Sequence, residues 1–286
     1  MTRDEALELR CATGSDVGQR RSGNEDSATA TTHLVAVADG MGGHAAGEVA
    51  SAIAVDAVGE LDTRIADSDG DLAPLEELAT VFTQASTVLD ERVGANPELS
   101  GMGTTLTVML WLGREFALGH IGDSRAYRLR GAELTQLSRD HTLVQSLVDE
   151  GKLDEETAAV HPGRSVLVKA LLAGQVAEPD LELHEAQPAD RYLLCSDGLT
   201  DVVSLQEIGA VLGSTDEPSD AVATLIERAN EGGGPDNITC VVVHVLDPAA
   251  IGGDGSVDDS AADDSAADDG AADEAGDPTG AGDRSA

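Results

Sequence analysis

Residues His33–Gly40 read HLVAVADG, an apolar run that stops at Asp39-Gly40. A run this short, ended by an acid and a glycine, is the mark of a strand. The same pattern returns at Arg191–Gly198, where RYLLC stops at Ser196-Asp197-Gly198. Thr105–Leu112 (TLTVMLWL) is a third strand, with Leu106, Val108, Leu110 and Leu112 on one face. Between the first and third lie two helical stripes with a 3.6-residue period. One holds Ala50, Ile53, Ala54, Ala57, Val58 and Leu61; the other holds Leu75, Leu78, Ala79, Phe82, Ala85, Leu89 and Val93. Shorter helices are expected around Leu143–Glu150 and Ala221–Asn230. Runs of strands and runs of helices, without strict alternation, give an α+β fold of packed layers.

The domain limits follow composition. Residues 11–246 carry the periodic patterns, after an N-terminal extension at 1–10. Residues 140–170 are weakly patterned and hold two glycines and a proline, which marks a flap. Residues 247–286 repeat Asp, Ala, Gly and Ser with two aliphatics larger than alanine, Ile251 and Val257, and are expected to be a disordered acidic tail.

The net charge is −37. The tail holds twelve acids and one arginine, −11, which leaves −26 for residues 1–246. Such a field excludes nucleic acid and anionic membrane as natural partners and favours divalent metal. On composition alone it fits a coding bias or a salt-tolerant host better than any specific basic partner. No apolar run is long enough to cross a bilayer, the N-terminus does not read as a signal peptide, and Cys11, Cys195 and Cys240 have no paired spacing. A cytoplasmic, monomeric protein is expected.

Three aspartates stand out from the many. Asp39 and Asp197 end apolar strands, each followed by glycine, and Asp236 in GGGPDN precedes the Val-rich ITCVVVHV. Carboxylates at the ends of buried strands are costly unless a positive charge balances them. With Glu25-Asp26 as a further acidic spot, they point to hard divalent cations bound through oxygen. The glycines would let the backbone turn and bring carbonyls close to metal. Taken singly, each acid reads as a turn. Taken together, they favour a metal centre.

Other chemistries fall away. The residues six past the cysteines are Val17, Asp201 and Leu246, so no Cys-x5-Arg phosphatase loop exists. GMGGHAAG at Gly40–Gly47 lacks a P-loop ending, there is no HExxH, and Ser196 is not in a Gly-x-Ser-x-Gly elbow.

Six motifs in order then carry a resemblance: SDVGQRRSGNED (Ser15–Asp26), VADGMGGHAAGEVAS (Val37–Ser51), GMGTTL (Gly101–Leu106), HIGDSRAY (His120–Tyr127), LCSDGL (Leu194–Leu199) and GPDNIT (Gly234–Thr239). The set resembles the bacterial metal-dependent protein phosphatases of type 2C (PPM). The resemblance implies a four-layer α-β-β-α sandwich of two antiparallel sheets flanked by helices, with the metal centre in a cleft at one end. It implies two Mn²⁺ or Mg²⁺ ions held by Asp39, the Gly40 carbonyl, Asp197 and Asp236, with Glu25 and Asp26 acting through water. A third ion in bacterial members would use Asp123 with Asp197 and Ser165. Arg21 would bind the substrate phosphate, and Asn237 would support a metal-bound water. The implied reaction is hydrolysis of phosphoserine and phosphothreonine on proteins by in-line attack of a metal-bridging hydroxide. Its implied setting is reversal of bacterial Ser/Thr kinase signalling, with kinases and their substrates as partners. Met41 stands where animal members have histidine, so the proton donor to the leaving oxygen is left open. His44 reads as structural or water-holding ahead of general acid. A catalytically dead relative would lack a bridging aspartate, and all three are present.

Overall fold

The computed structural model describes residues 7–42, 45–66, 73–176 and 178–248. Twelve strands and seven α-helices are found among them. One sheet contains β1 (Glu8–Asp16), β7 (Arg125–Arg130), β8 (Glu133–Gln136), β11 (Arg191–Cys195) and β12 (Ile238–Leu246), in the order β1-β12-β11-β7-β8. The other contains β2 (Asp26–Ala30), β3 (Leu34–Met41), β4 (Gly103–Thr104), β5 (Leu106–Trp111), β6 (Glu115–Ile121), β9 (Leu171–Leu172) and β10 (Asp180–Glu185). Its order is β10-β6-β5-β3-β4-β9, with β2 also paired to β3. Every pairing is antiparallel.

The two-residue period of the strands builds the layers. In β3, Val35 and Val37 meet Met109, Tyr192, Leu194, Val241 and Val243 in the core between the sheets. Their neighbours Leu34, Ala36 and Ala38 face the other way, onto helices α1 (Ala45–Ala66) and α2 (Pro74–Ala95). In β12, Val241, Val243 and Val245 face inward. Ile238, Cys240 and Val242 face α5 (Asp197–Thr200), α6 (Leu205–Ser214) and α7 (Pro218–Glu231). Both faces of β3 and β12 are therefore dry, which is why these two strands read as nearly unbroken apolar runs. The result is the expected α-β-β-α sandwich.

Local signals set the helix ends. α2 starts with Pro74 and has Glu76 and Glu77 in its first turn and Arg92 in its last, matching the helix dipole. All six positions of the α1 stripe are buried. In α2, Leu78, Phe82, Ala85 and Leu89 are buried, as is Val81, which lies outside the expected stripe. α6 is an addition to the sequence reading; its start is fixed by a reciprocal Ser204–Glu207 capping box. The flap segment forms two short helices, α3 (Leu143–Asp149) and α4 (Glu155–Ala159), closed by a Thr142–Leu167 bridge.

Two expectations change, and a third is not reached by the described residues. β1 begins at Glu8, because residues 8–10 pair with Leu246, Val245 and His244; they belong to the sheet and not to an extension. β3 does not stop at Asp39: it runs to Met41 by exchanging β5 for β4 as its neighbour. The expected tail falls outside the described residues beyond Pro248. All three cysteines are free, and no described helix is long and apolar enough to cross a membrane.

Candidate active site

The acids meet because of register. Asp26 on β2 lies directly across from Asp39 on β3, an arrangement that destabilises a sheet when both carry charge. Asp197 opens α5 at the end of β11, and Asp236 immediately precedes Asn237 and β12. Asp123 sits in the tight β6–β7 connection behind Gly122, which takes φ +112°. A cavity of about 710 Å³ is lined by Glu25, Asp39, Gly40, Asp123, Ser165, Asp197 and Asp236, with Arg21 its one cation among the described residues. Asp26 stands behind this wall.

The backbone around Asp39 is clamped. Its N–H donates to Thr105 Oγ1 at 2.9 Å, and its carbonyl accepts from Thr105 N and Thr104 Oγ1, both at 2.9 Å. Gly40 N donates to the Glu25 carbonyl at 3.1 Å. A Cβ on Gly40 would stand far inside 3.0 Å of the carbonyl oxygens of Gly47 and Glu25. Neither Gly40 nor Gly198 has a positive φ; Gly40 lies within β3 and Gly198 within α5. A Cβ on Gly198 would collide with the Asn237 carbonyl oxygen. The turn reading of Asp39-Gly40 and Asp197-Gly198 is thus replaced by close backbone packing.

Electrostatics are extreme. Burial, and then the charges of Asp26, Asp197, Asp123 and Asp236, hold Asp39 well above the usual carboxylate range. Asp39 is surrounded by protein yet keeps an opening onto the cleft. Asp197 is pushed up to about 8, first by burial and then by Asp123, Asp201 and Asp236. Burial raises Asp26 and Asp123 to about 6 each. One oxygen each of Asp26 and Asp197 is buried with no hydrogen-bond partner. Orphaned carboxylate oxygens without imidazole or thiolate beside them are donors for hard cations such as Mg²⁺ and Mn²⁺. The residues present therefore fit the metal. Among the described residues no three such side chains close on a single point; the acids line a broad cleft.

Two expected site residues carry contacts the sequence did not reveal. Arg21 donates to Asp236 Oδ2 at 2.6 Å, so the phosphate-binding candidate rests on a metal-ligand candidate. Asn237 accepts from Glu25 N at 2.8 Å and donates to the carbonyls of Val17 and Gly23, both at 2.9 Å. With both amide hydrogens spent, Asn237 clamps the loops together. Ser165 is exposed on the flap and faces Asp123 and Asp197 across the cleft. His44 lies outside the described residues.

Sequence reasoning also missed Ser196. Its hydroxyl donates to Asp26 Oδ2 at 2.8 Å and accepts from Thr239 N at 3.0 Å, so it joins an acid of one sheet to the end of a strand in the other. The available signal was a serine before Asp-Gly at the end of a buried strand.

Comparison with known proteins agrees with this geometry. The family model for Protein phosphatase 2C matches residues 19–236. The chain is 48% identical over 241 residues to the serine/threonine protein phosphatase PstP of Mycobacterium tuberculosis, covering 84% of this chain and 46% of that protein. It is 35% identical over 237 residues to the protein phosphatase PhpP of Streptococcus pneumoniae, covering 80% of this chain and 94% of that one. It thus spans less than half the length of PstP and nearly all of PhpP. The crystal structure of the PstP catalytic domain in complex with two manganese ions superposes with a TM-score of 0.77 at 46% identity, covering 84% of this chain and 100% of that structure. A match that runs from the arginine side of the cleft to Asp236 takes in the whole acidic wall, and the chain belongs to the protein phosphatase 2C family of bacterial serine/threonine protein phosphatases.

Proposed function

We propose that the chain removes phosphate from phosphoserine and phosphothreonine in proteins, and that in the cell it reverses Ser/Thr kinase signalling. The observation that carries this reading is the set of buried, mutually repelling carboxylates facing one arginine in a cleft open to solvent. Asp39, Asp197, Asp236 and the Gly40 carbonyl would hold two Mn²⁺ or Mg²⁺ ions, with Glu25 and Asp26 behind them, and Asp123, Asp197 and Ser165 would hold a third. Bound there, such ions supply Lewis acidity and a water whose pKa is lowered toward neutrality.

The chain's own groups do the rest. Arg21, half exposed on its Asp236 tether, is placed to turn its free N–H groups toward phosphoryl oxygens and balance their charge. Thr104 and Thr105 fix the Asp39 backbone, and Asn237 fixes Glu25. The folded catalytic domain corresponds to residues 11–246 with β1 extended back to Glu8.

The test is hydrolysis of a phosphothreonine peptide with and without Mn²⁺, comparing wild type with Asp39→Asn and Asp197→Asn. Metal-dependent turnover that drops about a thousandfold in both variants is expected. A folded wild type inactive in both Mn²⁺ and Mg²⁺ would overturn the reading.

A further inference from the structure

The cleft continues past Asp123, Ser165 and Asp197 into a second cavity of about 270 Å³, between flap helices α3 and α4 and helix α5. Val144, Val148, Ala158 and Ala159 give it apolar walls. Most of its charges are already committed. Arg125 is held by Asp140 at 2.6 Å, and Arg164 by Asp201 at 2.9 Å. Asp123 and Asp197 belong to the proposed metal set. Glu155, exposed in the first turn of α4, is left as the lining charge with no ion pair or hydrogen bond among the described residues. A slot with an apolar side on the flap helices, polar groups elsewhere and a free carboxylate at its rim suits a side chain with an aliphatic stem and a cationic head.

Charge balance points the same way. A phosphorylated residue brings about −1.5 to −2 to a chain whose net charge is −37. Arg21 is the only described cation lining the main cleft, and Asp236 already engages it. Encounter is therefore favoured for phosphorylated segments that carry cations of their own.

We propose that this flap cavity is a subsite for a lysine or arginine side chain of the phosphoprotein, lying near the phosphorylated residue. The proposal rests on the phosphatase reading above and names a class of substrate for it.

Three substrates test it in Mn²⁺ at low ionic strength: a phosphothreonine peptide with flanking lysine and arginine, the same peptide with alanines, and p-nitrophenyl phosphate, which is too small to reach the cavity. Wild type is compared with Glu155→Lys and with Ala159→Phe, which fills the slot without changing charge; circular dichroism checks that both are folded. The expected result is a lower KM for the basic peptide in wild type. Glu155→Lys should raise that KM roughly five- to tenfold and leave the other two substrates alone. Ala159→Phe should abolish the preference. Equal KM values for the two peptides in wild type, or equal shifts on both in the variants, would overturn the subsite. So would a changed Mn²⁺ requirement with the peptide preference intact, which would make the cavity an outer shell of the metal site. Wild type inactive on all three substrates would sink the phosphatase reading, and the subsite with it.

Discussion

Two Asp-Gly pairs form the floor of the cleft, and they are built differently. Asp39-Gly40 lies inside a strand, where β3 changes neighbour from β5 to β4, and its backbone is fixed by threonine hydroxyls. Asp197-Gly198 opens a one-turn helix, and the residue before it, Ser196, reaches to the opposite sheet. What they share is a glycine pressed against a carbonyl oxygen of another segment. The same dipeptide therefore reports tight packing behind an acid, in two unrelated backbone settings.

That shared feature gives the largest expected effect. Gly40→Ala and Gly198→Ala should each destabilise the fold by about 3 kcal/mol, at the upper end for overpacking, because the obstacle is backbone and cannot rotate away. Gly131 is the control: it sits at φ +61° with open space around it, so Gly131→Ala should cost only about 1 kcal/mol of backbone strain. Urea denaturation of the three variants measures the difference. Equal losses would show that the two glycines act through conformation and not through close approach.

How much of this was legible in the sequence depends on the range of the interaction. The alternation in β3 and β12 and the stripe on α1 were readable, because each depends on neighbours within one element. The acids at strand ends were readable for the same reason. The partners of those acids were not. Ser196 meets Asp26 across 170 positions of sequence, and Asn237 meets Glu25 across 212. Only the register of β2 on β3 places Asp26 opposite Asp39. The continuation of β3 through Asp39 was hidden too, since an acid followed by glycine looks the same in a turn as in a strand that switches partner.

The next effect separates the acids from their scaffold by pH. Asp26, Asp123 and Asp197 have folded values of about 6, 6 and 8 against an ordinary 3.8. Without metal the folded chain thus binds more protons than the unfolded chain between these limits, and stability falls as pH rises. The loss starts above pH 4 and runs to about pH 8. Thermal melts of the EDTA-treated protein at pH 5 and pH 8 should show the lower Tm at pH 8. Mn²⁺ should recover more at pH 8, where fewer protons compete for the carboxylates. Asp197→Asn should raise the metal-free Tm at pH 8 while weakening the response to Mn²⁺. A metal-free Tm that rises from pH 5 to pH 8 would contradict the repulsion among these acids.

The smallest expected effect sets the two supports against each other. Thr105→Val removes an acceptor from the Asp39 N–H and a buried partner from Ser124 Oγ, 2.7 Å away. Ser196→Ala leaves Thr239 N–H without its acceptor and takes a donor from Asp26, whose other oxygen is already unpartnered. Either change should cost about 1–3 kcal/mol of stability. They should differ in metal binding. Ser196 acts on a side-chain carboxylate, so its loss frees Asp26 to rotate and should weaken Mn²⁺ binding roughly tenfold by calorimetry. Thr105 acts on backbone that β2, β4 and β5 also hold in register, so its loss should change Mn²⁺ affinity much less. Ser196→Thr keeps the hydroxyl and should recover most of the affinity. Equal losses of Mn²⁺ affinity in Thr105→Val and Ser196→Ala would mean that the floor of the cleft moves as one unit, and that the contrast between its two Asp-Gly supports is one of shape alone.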